Sequence, residues 1–263
     1  MGSATTQARE ATTAALAAAS AIDLDVAREL FAVASAIDGS LQLSGALADS
    51  SASTAARAKV VADVFGAAVS PATLALVTTT VEQRWSSASD LIDGIEELAV
   101  RAAAVAAPQS DIEEELFRFS RTVAENPELE LALGSRLGDA SAKGTLVQSL
   151  LSSRVSPATT LIASSLLQHS RERRARVLLA TAMKLVADER GRTVATVVSA
   201  VPLGTAQVER LAAALSSKYG TAISLNTVID PTVVGGLRVQ IADDVIDASV
   251  SSRLADLRQR LAG

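Results

Sequence analysis

Residues Ile223–Leu261 read ISLNTVIDPTVVGGLRVQIADDVIDASVSSRLADLRQRL, and this stretch sets the fold class of the C-terminal third. Ile223, Leu225, Thr227 and Ile229 alternate with Ser224, Asn226 and Val228, the period of a strand with the first set buried. Asp230-Pro231 ends that strand, because proline restricts the residue before it and donates nothing to a ladder. Gly235-Gly236 permits positive φ before Leu237, Val239 and Ile241 alternate again. Asp243-Asp244 reads as a turn and Val245-Ile246-Asp247 as a short return strand. Val250–Leu261 reads as a helix with Val250, Leu254, Leu257 and Leu261 on one face.

Immediately upstream, Thr193–Val201 is rich in β-branched residues and Pro202-Leu203-Gly204 turns the chain. Thr205–Tyr219 then carries Val208, Leu211, Ala212 and Leu215 at helical spacing. Residues 191–263 therefore form a small α+β domain. The chain before residue 191 differs in kind. It is rich in alanine and leucine, both strong helix formers, and aromatic residues make up only 2% of the protein.

That helical part repeats itself. Leu30-Phe31 recurs as Leu116-Phe117, and Val69-Ser70-Pro71-Ala72-Thr73 recurs as Val155-Ser156-Pro157-Ala158-Thr159, both at an offset of 86 residues (116 − 30 = 155 − 69 = 86). Leu43/Leu129, Leu47/Leu133, Ala56/Ala142 and Val61/Val147 fall on the same offset, and Arg57/Lys143 keep their charge. Ser70-Pro71 and Ser156-Pro157 each place a capping hydroxyl before a proline at the first helical position, and Asn126-Pro127 reads the same way. Gly66, Gly191 and Gly220 mark helix stops in left-handed caps. The spacing predicts helices near 5–20, 24–37, 41–48, 54–65, 71–85 and 88–107, then near 110–125, 127–133, 140–151, 157–169 and 172–189. The fold class is mainly α: two tandem bundles of about six helices, over 1–107 and 108–190, followed by the α+β domain. Copy two supplies five helices of its own, so the bundles share the helix at 88–107, whose Ala102-Ala103-Ala104 surface is small enough to be packed from two sides.

Several classes of chemistry are closed to this chain. With no cysteine there is no disulfide, thiolate metal site or cysteine nucleophile, and with His169 as the single histidine no triad or histidine metal set assembles. No phosphate-binding glycine loop occurs, and a net charge of −5 argues against a dedicated nucleic-acid binder. No apolar run is long enough to span a membrane, and the N-terminus lacks a basic leader, so the chain reads as soluble and intracellular. Asp243, Asp244 and Asp247 lack calcium-loop spacing and read as a solvated turn. Arg171, Arg173, Arg174 and Arg176 form the densest basic cluster. Without interleaved aromatics they read as the solvated first turn of a helix rather than a phosphate contact. His169 reads as a surface residue near a helix end. Leu74, Val77, Val81 and Trp85 in copy one, and Leu161, Ile162 and Leu166 in copy two, form apolar helix stripes of the kind that usually face a core.

The blocks Val228-Ile229-Asp230-Pro231, Gly235-Gly236-Leu237-Arg238-Val239, Asp244-Val245-Ile246-Asp247 with Ser249, and Arg253-Leu254 occur in the order found in the delta subunit of F-type ATP synthases. The chain resembles that family, called the oligomycin-sensitivity-conferring protein in mitochondria, with Ala242 and Ala248 standing where it usually has glycine. The resemblance implies a six-helix N-terminal bundle, here supplied by copy two, with copy one as an added duplicate. It implies a non-catalytic stator subunit without cofactor or metal, linking the alpha/beta catalytic head to the peripheral-stalk b subunit so that rotation is coupled to ATP synthesis. Such a subunit is peripheral to the membrane on its cytoplasmic face and contacts no nucleic acid. The resemblance further implies a groove between the first and fifth bundle helices that receives the alpha subunit's N-terminal helix, which makes Leu161, Ile162 and Leu166 candidate contacts. Leu254, Leu257 and Leu261 become candidate contacts to the b subunit. A second reading, of a different class, is a helical adaptor or regulator meeting acidic partners or nucleic acid through the arginine cluster. An enzyme ranks last.

Overall fold

The computed structural model describes all residues except 1, 136–138, 172, 234, 242–243 and 248–263. Among the described residues it holds twelve helices and four strands, in two compact units over 1–185 and 186–263. No single helix among them is long and apolar enough to cross a membrane. The expected helix at Val250–Leu261 lies outside the described residues.

The helical unit begins with α1 (Ser3–Ala18), α2 (Leu24–Asp38), α3 (Leu41–Ala48), α4 (Thr54–Phe65), α5 (Pro71–Glu82) and α6 (Ala88–Ala106). It continues with α7 (Ile112–Glu125), α8 (Pro127–Gly134), α9 (Ala140–Leu151), α10 (Pro157–Gln168) and α11 (Ala175–Glu189). The offset of 86 carries over to whole elements. α3, α4 and α5 match α8, α9 and α10 in length, with both ends shifted by that number (127 − 41 = 134 − 48 = 86). Leu30 and Leu116, Leu47 and Leu133, and Val61 and Val147 are fully buried in both copies. On the same offset α1 corresponds to α6, and α6 to α11.

α6 is the centre of this unit. From Leu91 to Ala104 every residue is buried except Asp93 and Glu97, a helix apolar nearly all round. It packs against α1, α2, α3 and α5 from copy one and α10 from copy two. The three consecutive alanines admit backbones from opposite sides, and Gly94 takes the ring of Trp85 where a Cβ would collide with it. The stripe expected along 71–85 is correspondingly shorter. α5 stops at Glu82, and Trp85 reaches the core from the following turn, its indole N–H donating to the Thr80 carbonyl at 2.8 Å.

Ser70 and Ser156 cap α5 and α10 as expected, each hydroxyl accepting from the backbone N–H three residues on. Asn126 does not cap α8. Its amide donates backwards to the Thr122 carbonyl at 2.7 Å and closes α7 instead. Gly66 stops α4 at φ −57°, a right-handed cap rather than the left-handed one expected, whereas Gly191 and Gly220 do take positive φ.

In the second unit, β1 (Arg192–Ser199) pairs in parallel with β2 (Ala222–Ile229) through the crossover helix α12 (Thr205–Tyr219). β3 (Leu237–Ile241) and β4 (Asp244–Asp247) add antiparallel strands, giving the order β2-β1-β3-β4. Ala195, Val197, Leu215, Ile223, Val239 and Ile241 form its core. The even alternation expected in β2 fails in its second half. Thr227 and Ile229 are exposed and Asn226 is buried, because the core packed beneath α12 reaches Ile223 and Leu225 and no further along this edge strand.

Gly94→Leu places a branched side chain where the Trp85 ring lies. Chemical denaturation, followed by emission of this single tryptophan, should show a loss of about 1–3 kcal/mol and a red-shifted native spectrum.

Candidate partner-binding surfaces

Each copy fixes its fifth helix by the same device. Glu29 on α2 accepts from the Ser70 N–H (2.9 Å), the Ser70 hydroxyl (2.7 Å) and the Thr73 hydroxyl (2.6 Å) at the start of α5. Glu115 on α7 accepts from the Ser156 N–H (3.0 Å), the Ser156 hydroxyl (2.7 Å) and the Thr159 hydroxyl at the start of α10. An acid at a helix N-terminus satisfies donors left without intrahelical partners and favours the positive end of the dipole. Burial pushes the Glu29 carboxyl up, but the hydrogen bonds from Thr73 and Ser70 outweigh it and hold the pKa below the ordinary value. These two glutamates are missing from the sequence reading. The signal was present, since Glu29 and Glu115 each stand directly before the recurring Leu-Phe pair.

The arginine cluster is neither a solvated first turn nor an open phosphate site. α11 begins only at Ala175, and Arg171 and Arg173 reach back to α6. Arg171 pairs with Asp93 and with Glu96 (2.7 Å), and Arg173 pairs with Asp93 (3.1 Å) and Glu96 (2.8 Å). Burial opposes the Arg171 charge, but Glu96 and Asp93 override it and raise its pKa. Arg174 and Arg176 are both exposed, Arg176 with an ion pair to Glu130 at 2.9 Å. His169 ends α10 half-buried, its Nε2 3.0 Å from the Ser35 hydroxyl of copy one.

Of the candidate contacts on α10, Ile162 is fully buried within the helical unit, Leu166 is 5% exposed and Leu161 is half-buried at the surface. Leu254, Leu257 and Leu261 lie outside the described residues, as does Ser249. The other motif residues gather around the β2–β3–β4 connections. The Asp230 N–H donates to the Ser199 carbonyl at 2.8 Å, and its carboxylate accepts from the Thr232 N–H and hydroxyl in a tight turn. Pro231 follows, and Gly235 and Gly236 adopt φ +66° and +80° on the way into β3. Asp244 and Asp247 are exposed on β4 opposite Ile241 and Arg238. Among the described residues no cluster of three metal-ligating side chains forms.

A family model described as the ATP synthase delta (OSCP) subunit matches residues 98–261. The chain belongs to this family. The delta-family match begins inside α6 and takes in copy two and the second unit. Curated relatives extend the likeness to copy one. "ATP synthase subunit delta" of Leifsonia xyli subsp. xyli is 46% identical over 100% of both chains. The proteins of that name from Kineococcus radiotolerans (45%, covering 89% of this chain and 87% of that one) and Streptomyces avermitilis (40%, covering 98% and 96%) are likewise similar.

Glu29→Gln and Glu115→Gln should each cost about 1 kcal/mol near neutral pH, the worth of charge-assisted hydrogen bonds discounted for solvent screening. Because the Glu29 pKa is lowered from 4.5, its contribution is complete above that value and is lost as pH falls through the lower folded value. Urea melts should therefore show a constant gap between wild type and Glu29→Gln from about pH 7 to 5, closing at more acid pH.

Proposed function

We infer that this chain is a non-catalytic stator subunit of an F-type ATP synthase. The observation that carries this is the family match running from α6 through the second unit, together with full-length likeness to delta subunits. The physical task is to hold: the catalytic head must not turn with the rotor, or ion flow yields no ATP. Helices packed through small residues and tied by carboxylate clamps suit a part that bears load.

The finer assignment is a proposal. We propose that copy two, closed by α6 and α11, is the bundle that meets the head, and that copy one shares α6 with it. In this reading the alpha subunit's N-terminal helix lies along the α6/α10 side of copy two, with Leu161 as the accessible contact and Ile162 and Leu166 forming the floor behind it. The second unit and the segment at residues 250–261 grip the peripheral-stalk b subunit, on the cytoplasmic face of the membrane. The half-buried position of Leu161, above the buried Ile162, supports this division between contact and floor.

Calorimetric titration with a peptide of the alpha subunit's N-terminal helix tests it. Wild type should bind one-to-one. Leu161→Asp should weaken binding at least about tenfold, or about 1.4 kcal/mol, whereas Ala75→Asp, at the equivalent exposed position of copy one, should not. Both changes sit at the surface, so circular dichroism should show native helix content in each. No binding by folded wild type would overturn the head contact. Retention of b in a pull-down after reversal of Arg253, Arg258 and Arg260 would overturn the other half.

A further inference from the structure

One cleft in the helical unit is lined by both copies. α2 of copy one and α10 of copy two each pack on α6, and their facing sides enclose a cavity of about 400 Å³. Phe31, Ala32 and Ser35 line it from α2, and Ser165, Gln168 and His169 from α10. His169 Nε2 lies 3.0 Å from the Ser35 hydroxyl, which bridges the cleft at one point. The bridge does not fill it. Ala32 stays exposed although α10 lies opposite, and Phe31, 7% exposed, supplies an apolar floor. Arg28 at the edge is paired with Asp25 of its own helix.

On α10 this lining continues the stripe that begins at Leu161. Leu161, Ser165 and Gln168 stand at i, i+4 and i+7 on one face of the helix, and all three are half-buried. At a rise of about 1.5 Å per residue the stripe is about 10 Å long. Among the described residues the Ser165 hydroxyl and the Gln168 amide form no hydrogen bond, so both are open to a partner. The cavity falls within the size range of clefts that receive ligands and has room for the anchoring side chains of a docked helix. A single bundle has no such second wall. It exists because another copy shares α6.

We propose that α2 of copy one is the second wall of the head-contact site of copy two, so that the alpha subunit's N-terminal helix enters the α2/α10 cleft and touches both copies. The inference rests on the contact assigned to Leu161 above and extends it by continuity along the stripe. It gives the duplicate a binding task. A helix held between two walls buries anchors on two of its faces, where Leu161 above Ile162 offers a floor to one. Phe31 and Ala32 meet its apolar anchors, and Ser165 and Gln168 meet its polar groups.

The chain has no cysteine, so Ala32→Cys in the full chain carries its only thiol, at an exposed position. With the alpha N-terminal peptide at about ten times its Kd, mass action leaves about one site in eleven free, and alkylation of this thiol by iodoacetamide should slow about tenfold. Arg118→Cys, at the equivalent position of copy two, should react at an unchanged rate. Ala32→Trp, which fills the cleft from the α2 side, should weaken the peptide at least about tenfold in calorimetry while circular dichroism shows native helix content. The failures are separable. No binding by folded wild type would overturn the head contact and this inference with it. Binding that Leu161→Asp weakens, with the thiol at 32 unprotected, would overturn this inference alone and leave copy one outside the site. An affinity loss in Ala32→Trp without thiol protection would mark an indirect effect and overturn it too. So would equal protection at 118, which would mark general shielding rather than the cleft.

Discussion

Everything in the helical unit depends on one helix being buried from two directions. α6 satisfies its own backbone hydrogen bonds, so its interior position costs little, and its alanines let neighbours approach to backbone distance. Its two residues that are not buried between Leu91 and Ala104 are both acids, and both are engaged: Glu97 by Arg9 and Arg101, Asp93 by Arg171 and Arg173. Remove α6 and neither set of neighbours has a surface to close on.

The two copies close on α6 by different physics. Copy one uses mainly apolar contact, Trp85 over Gly94, with the Thr5–Ser86 hydroxyl pair and the Arg9–Glu97 ion pair beside it. At the equivalent positions copy two has Arg171 in place of Trp85 and Arg173 in place of Ser87, and it closes through ion pairs to Asp93 and Glu96. Salt screens such partly buried ion pairs only weakly and apolar contacts not at all, so copy two's closure is the one more open to ionic conditions although both meet on one helix.

Much of this was legible in the residues. Helix ends were readable because Ser-Pro pairs and capping hydroxyls mark them locally, and the repeat was readable because ungapped copies keep one offset. The C-terminal motif placed the strands for the same reason, as turn chemistry at Asp230-Pro231 and Gly235-Gly236 is local. What failed was long-range. The arginines after α10 look solvated until α6, some 75 to 80 residues upstream, supplies their acids. Asn226 looks outward until the edge position of β2 decides which half of the strand is covered. Among the candidate contacts, the stripe on α10 was visible as a stripe, but only packing divides Leu161 at the surface from Ile162 beneath it.

A helix that serves two cores makes the duplication hard to undo. Deleting residues 1–87 would leave copy two with its full count of helices, yet it would strip α1, α2, α3 and α5 from α6 and bare a face of Leu91, Ile95 and Leu98 to water. Return to a single bundle therefore requires several polar replacements on α6 to arrive together with the deletion. The doubling works as a ratchet: with the shared helix apolar on the face that copy one covers, each step toward the shorter chain passes through a less soluble one.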